Sequence, residues 1–306
     1  MHFLQSTAWE SFHQNLGNST FRRGSEEWGY LAILEKSTLP KRLYLPYGPT
    51  ASDVRTLGVA IDSLHALAKS QDAIFIRLQP TGVEITDRMI KKYDLREVDY
   101  SQPSITWRLD LTQDKDDIVA QMKQNNRNIY RNYTKKGMSY RRSTNPEDIP
   151  HLLRLLHEMK DRNEISIHSD KYLSTQITTL LTHEAASLHF ITLVESDTII
   201  AAALIYEGED TNYYAHAASS FSHRKLNPAT ALLAEAVIDA KNQGRTTFDF
   251  FGITDSDDPK HRWAGFTKFK KSFGGYEFNL GKTYDIPVKK IPYQTYMIAK
   301  KVKQLL

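Results

Sequence analysis

Residues 246–276 read TTFDFFGITDSDDPKHRWAGFTKFKKSFGGY, and this stretch decides the fold. The β-branched and aromatic residues of TTFDFFGI predict a buried strand that carries a single acid, Asp249. After an acidic turn, WAGFTKFKKSF predicts a short amphipathic helix that ends before Gly274. The stretch therefore predicts a strand that leads through a polar turn into a cationic helix.

The predicted helix has an aromatic face and a basic remainder. Spacings of three and four residues put Phe266, Phe269 and Phe273 on one face, and lysines at 268, 270 and 271 surround it. Such a helix can aim a positive charge at an anion that develops during a reaction. An ordinary buried strand followed by a solvated basic helix explains the same pattern, and at this point both interpretations stay open.

Composition narrows the class of protein. The chain has 306 residues, of which 40% are hydrophobic and 11% aromatic, which is typical of globular domains. It contains no cysteine, so disulfides, thiolate catalysis and cysteine-ligated zinc are excluded. The first residues lack a signal-peptide pattern, and no apolar run approaches the roughly 18 residues of a membrane span. These features predict a soluble, cytoplasmic protein.

Basic charge is concentrated in one segment. Lys and Arg exceed Asp and Glu by only 40 to 36, but residues 123–142, KQNNRNIYRNYTKKGMSYRR, contain no acid. We expect a long basic helix over about 115–136 that stops at Gly137. Its field suits a phosphate-bearing partner, although a solvated helix face gives the same pattern.

The order of predicted elements indicates an α+β fold. Asp53 is a good N-cap for a helix over 53–69, and Pro228 begins an Ala-rich helix over 228–243. Three strands between 188 and 220 form a predicted meander. Helices and antiparallel strands recur in a similar order in both halves, as expected of two acyltransferase-type domains of the GNAT kind.

One turn argues against the usual acyl donor of that fold. Acyl-CoA-dependent members place a glycine-rich turn before the central helix, where bare amides hold the pyrophosphate. The corresponding segment here is HRKLNPA, residues 223–229, which has no glycine and loses one amide donor at Pro228. Acetyl-CoA is therefore disfavoured, and another activated acyl group must be considered.

Four stretches resemble the Fem (FemABX) family of peptidoglycan bridge-forming aminoacyltransferases. They are FLQSTAWESFHQNLG at 3–17, QNNRNIYRNYTKKG at 124–137, RNEISIHSDKY at 162–172 and FDFFGI with WAGFTKFKKSFGG at 248–275. The last is the most specific. The resemblance implies two GNAT-like domains, aminoacyl-tRNA as donor substrate, and a peptidoglycan precursor as acceptor, either UDP-MurNAc-pentapeptide or its lipid-linked form.

The resemblance also implies the domain layout. We expect residues 1–141 with 280–306 to form a precursor-binding domain, and 142–279 to form a second domain that carries the catalytic motif. The segment between Glu147 and Ala186 is long enough for only two short helices. This predicts the compact form of the fold, without the long coiled-coil arm of some relatives. Peripheral contact with the inner face of the cytoplasmic membrane is expected through the substrate.

Positions that match the family motifs carry the expected site. Lys270 corresponds to the lysine implicated in catalysis and is preceded by Phe269. The implied substrate-binding positions are Arg22, Ser166, His168, Tyr172 and an aromatic residue of the meander, Tyr213 or the favoured Tyr214. The expected contacts to phosphate or tRNA are Arg127, Arg131, Lys135 and Lys268.

His168 departs from the family pattern, which has arginine at this position. A neutral imidazole offers one donor where arginine offers a permanently charged fork. The resemblance therefore implies that phosphate binding here is weaker, dependent on pH, or moved to another residue such as Arg162.

The implied reaction is aminolysis of a tRNA ester, which needs neither a metal nor a cofactor. An amine with a pKa near 10.4 costs about 4.6 kcal/mol to deprotonate at pH 7. One donor aimed at the oxyanion is worth roughly 3–4 kcal/mol, and Lys270 is expected to supply it. Asp249, a substrate carboxylate or the ribose hydroxyl of the tRNA could accept the proton of the amine.

Two other functions fit parts of the sequence. The first is an N-acyltransferase of GNAT fold that uses acyl-CoA or another thioester on a small amine or polysaccharide. The second is a non-enzymatic nucleic-acid-binding protein, suggested by the basic segment alone. Binding of CoA would favour the first alternative, and tight binding of uncharged tRNA without transfer would favour the second.

Overall fold

The structure, a computed structural model, describes residues 1–35, 40–99, 102–163 and 166–305. It forms two compact units, each with its own sheet. Unit 1 contains Met1–Ser104 and Asn279–Leu306, and unit 2 contains Ile105–Phe278. The unit boundary thus lies at 104/105, whereas the sequence placed a domain boundary at 141/142. Residues 105–141 lie in unit 2 because their first strand pairs with the strand of the Lys270 motif.

Unit 1 is a mixed sheet with helices. Its elements are α1 (Thr7–Asn15), β1 (Ser19–Gly24), β2 (Trp28–Leu34), β3 (Arg42–Leu45), β4 (Thr50–Ala51), α2 (Val54–Ser70), β5 (Phe75–Leu78), α3 (Asp87–Tyr93), β6 (Arg96–Val98), β14 (Thr283–Pro287) and α10 (Lys290–Leu305). The sheet order is β1-β2-β3-β5-β14-β6, with β4 paired to β2. As predicted, Asp53 caps α2, since its carboxylate accepts the Thr56 amide at 2.7 Å.

A buried ion pair joins the two segments of unit 1. Arg77 on β5 donates from Nε to Oδ1 of Asp285 at 2.7 Å and from Nη2 to Oδ2 at 2.8 Å. The Tyr293 hydroxyl of α10 donates to the same carboxylate at 3.1 Å. Because all three groups are buried and mutually satisfied, the pair specifies how β5, β14 and α10 meet.

Unit 2 also contains a seven-stranded sheet, and helices cover both of its faces. Its elements are β7 (Ile105–Asp110), α4 (Lys115–Gln121), α5 (Gln124–Asn132), β8 (Met138–Ser143), α6 (Ile149–Asn163), α7 (Asp170–Thr182), β9 (Ala186–Leu193), β10 (Thr198–Glu207), β11 (Thr211–Ser219), α8 (Pro228–Asn242), β12 (Thr247–Gly252), α9 (Ala264–Lys271) and β13 (Tyr276–Asn279). The sheet order is β13-β7-β12-β11-β10-β9-β8. The predicted meander, β9 to β11, and the helix that Pro228 begins are both confirmed.

Successive side chains of β10 point to opposite faces of the sheet, and different helices cover each face. Ala203 and Ile205 belong to the core cluster that contains the apolar side of α8. Tyr206, on the other face, lies towards α6 and α7. The functional side chains described below lie on this second face.

The predicted basic helix is interrupted. Met122 and Lys123 are extended, so α4 and α5 are separate helices, followed by a 3-10 turn that ends at Gly137 with φ +72°. The Lys123 amide donates to the Ser272 carbonyl at 2.8 Å, and the Asn126 side chain donates to the Ser272 hydroxyl at 2.7 Å. One long helix was therefore the wrong expectation, because these contacts with the residue after α9 hold the break open.

Two features are absent from the described residues. No helix in these ranges is long and apolar enough to cross a membrane. The same ranges hold no group of three or more His, Cys, Asp or Glu side chains placed to bind a metal ion.

Candidate functional site

The site begins where β12 leaves its regular ladder. Pairing between β12 and β7 shifts register between Asp249 and Gly252, and Phe251 within that step has φ +64°. The left-handed conformation is unusual for a bulky residue, so it must be held by neighbours. Oδ1 of Asp249 accepts the Phe251 amide at 2.8 Å and so fixes the turn. The distortion changes the direction in which the Gly252 carbonyl points.

Asp249 is fully buried, and both of its carboxylate oxygens are hydrogen-bonded. Oδ2 accepts from Nε of Arg108 at 2.9 Å and from the Thr106 hydroxyl at 3.1 Å. The Arg108 guanidinium in turn lies over the ring of Phe278, 3.5 Å from its centroid. Burial raises the pKa of Asp249, and the neighbouring Arg108 partly offsets that rise. Asp249 is thus a structural acceptor at the base of the bulge.

α9 presents its polar side to the end of β12. Thr267 is the buried residue of the helix, and its hydroxyl accepts the Thr254 amide at 3.0 Å. Lys270, three residues on, projects from the same side. Phe266 is 53% exposed, so the predicted aromatic face is wrong at that position. Phe269 and Phe273 do pack together, with ring centroids 5.2 Å apart, although Phe273 lies beyond the end of the helix.

The Lys270 ammonium donates to the Gly252 carbonyl at 2.6 Å. Burial lowers the pKa of Lys270 to about 8, and the nearby Asp249 partly opposes this shift. At neutral pH the group is still mostly a cation, but one held in a partly desolvated position. A charge fixed in this way can stabilise an oxyanion without having to reorganise.

Two glycines allow the end of α9 to meet β7. Gly274 and Gly275 have φ values of +86° and +95°, which only glycine adopts readily. A Cβ on Gly275 would lie 2.1 Å from the Arg108 carbonyl oxygen. Trp107 Nε1 donates to the Gly274 carbonyl at 2.6 Å. The glycine pair therefore connects the Lys270 helix closely to the strand of Arg108.

β11 and β12 part beside the site. Their parallel pairing covers only Thr211–Thr247 to Tyr213–Asp249, although both strands continue. Tyr213 faces the distorted end of β12, with its ring 5.8 Å from that of Phe251. Tyr214, the favoured sequence candidate, packs instead against the core cluster of α8. The structure therefore brings Tyr213 to the site and places Tyr214 on the opposite face of the sheet.

A second irregularity adds a residue that sequence reasoning missed. Tyr214 pairs with Ile205 and His216 with Leu204, so Ala215 is an extra residue in β11. The bulge puts His216 on the same face as Tyr213, three residues apart, which strict alternation would forbid. A register slip of this kind leaves no signal in a single sequence.

His216 connects the predicted groove residues. Its Nε2 lies 3.1 Å from Oε1 of buried Gln176 and 3.4 Å from the Tyr206 hydroxyl. His168 stacks on Tyr172, with centroids 4.1 Å apart at 18°, and its ring meets His216 edge-on at 6.3 Å. The predicted His168 and Tyr172 thus lie beside one another. The three residues that complete the cluster, Gln176, Tyr206 and His216, were not predicted from the sequence.

Burial keeps the imidazoles of this cluster neutral. It lowers the pKa of His216 to about 4, with a smaller effect from His168, and it also lowers the pKa of His168. The predicted Ser166 is exposed near the start of α7. The cluster thus offers rings and neutral hydrogen-bonding groups in place of a fixed charge.

Arg22, predicted to bind substrate, lies in unit 1 with its guanidinium occupied. Nε donates to Glu10 at 2.6 Å, Nη1 to the Gln5 carbonyl at 2.9 Å and Nη2 to the Ser6 carbonyl at 2.8 Å. These contacts tie β1 to the start of α1. The side chain remains about one-third exposed, so its outer edge faces solvent.

The four predicted phosphate contacts divide into two kinds. Arg127 donates from Nη1 to the carbonyls of Ala120 and Met122, at 2.8 and 2.5 Å, and so caps the end of α4. Arg131 on α5, Lys135 in the following turn and Lys268 on α9 are exposed. Only these last three have charged groups that face solvent.

Most backbone N–H groups of the turn before α8 donate to carbonyl groups of the same turn. The amides of Arg224, Leu226 and Asn227 donate to the carbonyls three residues earlier, at 3.2, 3.0 and 3.0 Å. Asn227 is left-handed, and Pro228 has no amide hydrogen. Few donors are left to hold a pyrophosphate.

Comparison with known proteins agrees with this architecture. Residues 173–301 match the model of the FemAB family. The crystal structure of FemX superposes with a TM-score of 0.81 at 19% identity, covering 96% of this chain and 94% of that one. L-PGS from Bacillus licheniformis gives 0.60 at 16% identity, covering 95% and 91%. The comparison with curated proteins finds no match.

A tandem GNAT protein from the clavulanic acid biosynthesis pathway is similar over 89% of this chain and 83% of its own, with a TM-score of 0.54 and 11% identity. The α+β fold with two GNAT-like domains and the resemblance to the Fem family are confirmed. The compact form is confirmed as well, since α6 and α7 have 15 and 13 residues.

Proposed function

Because residues 173–301 match the model of the FemAB family, we propose that this chain is an aminoacyltransferase. It moves an amino acid from aminoacyl-tRNA to the amine of a peptidoglycan precursor stem peptide. The observation that carries the proposal is the half-buried Lys270 ammonium, which the bulge of β12 and the polar side of α9 hold in place.

Lys270 acts in the step in which the carbonyl oxygen of the ester becomes negatively charged. The acceptor amine attacks the ester carbonyl, the C–N bond forms, and the carbonyl oxygen becomes an oxyanion. A lysine whose pKa is about 8 is mostly protonated at pH 7 and can donate to that oxygen. When the tetrahedral intermediate collapses, the C–O bond to the tRNA ribose breaks and the ribose oxygen takes a proton.

Asp249 has a positioning role in this mechanism. Its oxygens already accept from Arg108, Thr106 and the Phe251 amide, so it is poorly placed to accept the proton of the amine. We assign that proton to a group of the substrates, either a stem carboxylate or the ribose hydroxyl. Asp249 acts on the reaction through the direction of the Gly252 carbonyl and hence of Lys270.

The acceptor is expected along the cluster of His168, Tyr172, Gln176, Tyr206 and His216. Stacked rings beside neutral donors and acceptors suit the sugar and base of a nucleotide-linked or lipid-linked precursor. The absence of a fixed cation at position 168 predicts weaker phosphate binding than an arginine would give.

Two features support aminoacyl-tRNA as the donor. The turn before α8 spends its amides on internal hydrogen bonds, which disfavours CoA. Arg131, Lys135 and Lys268 are exposed cations that can contact phosphates without reading base sequence.

A direct test incubates the protein with mixed aminoacyl-tRNAs and either UDP-MurNAc-pentapeptide or the lipid-linked precursor. We expect a mass increase equal to one amino-acid residue on one acceptor. Mixtures with uncharged tRNA serve as the control. No adduct on either acceptor, together with CoA binding by calorimetry, would favour an N-acyltransferase that uses a thioester donor.

A further inference from the structure

α10 has two opposite apolar faces, and only one of them is packed. On the inner face, the Tyr293 and Tyr296 rings lie 5.3 Å from that of Phe75, and Tyr293 reaches the buried carboxylate of Asp285. These contacts hold the helix against the sheet of unit 1. The fold of unit 1 therefore does not need the outer face.

The outer face carries an exposed apolar stripe, which we call the α10 stripe and define as Ile291, Ile298 and Val302. Their exposed fractions are 78%, 65% and 52%. Spacings of seven and four residues return to nearly the same side of a helix with about 3.6 residues per turn. Three large aliphatic side chains aligned in this way are unusual on a solvated surface and mark an interaction site.

The charges beside the stripe have one sign. Residues 289–306, KKIPYQTYMIAKKVKQLL, contain five lysines and no acid. Lys289 pairs with Asp72 and Lys300 with Asp99. In the described part of the chain, Lys290 and Lys301 have no ion-pair partner, and both are close to the stripe in sequence. Aliphatic residues between unpaired lysines are typical of helices that lie in the interface of an anionic bilayer.

We infer that the α10 stripe docks on an anionic lipid surface, with the helix axis parallel to the bilayer. The aliphatic side chains enter the region between headgroups and acyl chains, and Lys290 and Lys301 meet the phosphates. A second copy of this chain is a poorer occupant, because it would bring the same lysines against their equivalents. This contact is independent of the proposed transfer reaction and of any precursor in the bilayer.

The test uses the full chain and vesicles without precursor. Flotation with vesicles of phosphatidylglycerol and phosphatidylcholine in equal amounts should carry the protein, and pure phosphatidylcholine vesicles should carry far less. The triple variant Ile291→Ser/Ile298→Ser/Val302→Ser should lower the bound-to-free ratio by at least about tenfold. The double variant Lys290→Gln/Lys301→Gln should weaken binding and flatten its dependence on salt.

Val194→Ser is the matched control, because Val194 is 65% exposed and lies in unit 2. It should bind vesicles like the unmodified protein. Circular dichroism should show every variant folded, since the changed positions are exposed. The inference is overturned if the unmodified protein does not float with anionic vesicles, or if the triple variant floats equally well. It is also overturned if the stripe instead supports a dimer that the triple variant loses, without vesicle binding.

Discussion

The Lys270 ammonium lies 2.6 Å from the Gly252 carbonyl oxygen, across the join between a distorted strand end and the polar side of a helix. Neither residue would be placed there by regular structure. Gly252 is turned by the left-handed Phe251. Lys270 faces inwards because the side of α9 that it shares with Thr267 packs on the segment that follows β12. The contact therefore depends both on the bulge at the end of β12 and on the inward-facing side of α9.

Replacing Lys270 by methionine removes the cation and keeps the aliphatic stem. We expect kcat for aminoacyl transfer to fall by about 10²–10³-fold, the loss typical of one oxyanion donor. The KM for precursor should change little, because the groove residues are untouched. Steady-state kinetics with each substrate varied in turn would measure both quantities.

Lys271→Met is the matched control for that variant. Lys271 is the next residue on α9, is exposed, and lies over Trp107 with its ammonium 4.9 Å from the ring centroid. Its removal should leave kcat within about twofold, as expected for a surface substitution. Equal losses in both variants would mean that α9 contributes only general positive charge.

Lys270 also predicts a dependence of stability on pH. Burial lowers its pKa to about 8 in the folded state, from 10.5. Between these values the unfolded chain binds a proton that the folded chain does not, so the free energy of unfolding rises with pH. Relative to Lys270→Met, the unmodified protein should gain about 2 kcal/mol between about pH 7.5 and 9.5. Urea denaturation at both pH values measures this difference, and a constant difference would contradict the lowered pKa.

Asp249→Asn tests whether the acid positions the site or accepts a proton. It leaves Arg108 partly buried without its counter-charge, so the free energy of unfolding should fall by about 3–5 kcal/mol. The double variant Asp249→Asn/Arg108→Met should recover part of that loss. A positioning role lowers kcat and leaves the shape of the pH–rate profile unchanged. Loss of the acid limb of the profile would make Asp249 the proton acceptor.

His168→Arg replaces a group whose charge varies with pH by a permanent cation. Burial lowers the pKa of His168, so its cation forms only as the pH falls below 6.5, and precursor binding should tighten in that direction. The arginine variant should bind UDP-MurNAc-pentapeptide about tenfold more tightly at pH 7, with little dependence on pH. Calorimetry at two pH values measures both effects.

His183→Arg supplies the control for charge alone. His183 is exposed at the other end of α7, so an arginine there adds the same charge away from the groove. Tighter binding in this variant would attribute the effect to the overall field of unit 2.

Regular patterns in the sequence predicted the regular parts of the fold. Asp53 and Pro228 begin their helices as expected, and Gly137 ends the basic segment. Local capping chemistry decides these boundaries, so they can be found in a single sequence. The break at Met122 could not, because its contacts come from Ser272, far away in the chain.

Sequence motifs predicted some residues of the candidate site. Residues that reach the site through irregularities of the backbone were missed. The resemblance pointed to Lys270, His168 and Tyr172, and the structure places Lys270 at the bulge of β12 and the other two beside His216. His216 joins it through the extra residue Ala215, and Tyr213 takes the place expected of Tyr214. On α9, the phenylalanine spacing was wrong only at Phe266, which is exposed, whereas Phe269 and Phe273 pack on the core.

The position of β14 has a consequence for the order in which the chain folds during synthesis. β14 lies between β5 and β6 in its sheet, yet it is made after all of unit 2. Until residues 283–287 emerge from the ribosome, β6 lacks the strand beside it and Arg77 lacks its buried counter-ion. Unit 2, which is continuous in sequence, can complete its sheet first. Unit 1, whose first segment is synthesised before unit 2, therefore completes its sheet after unit 2.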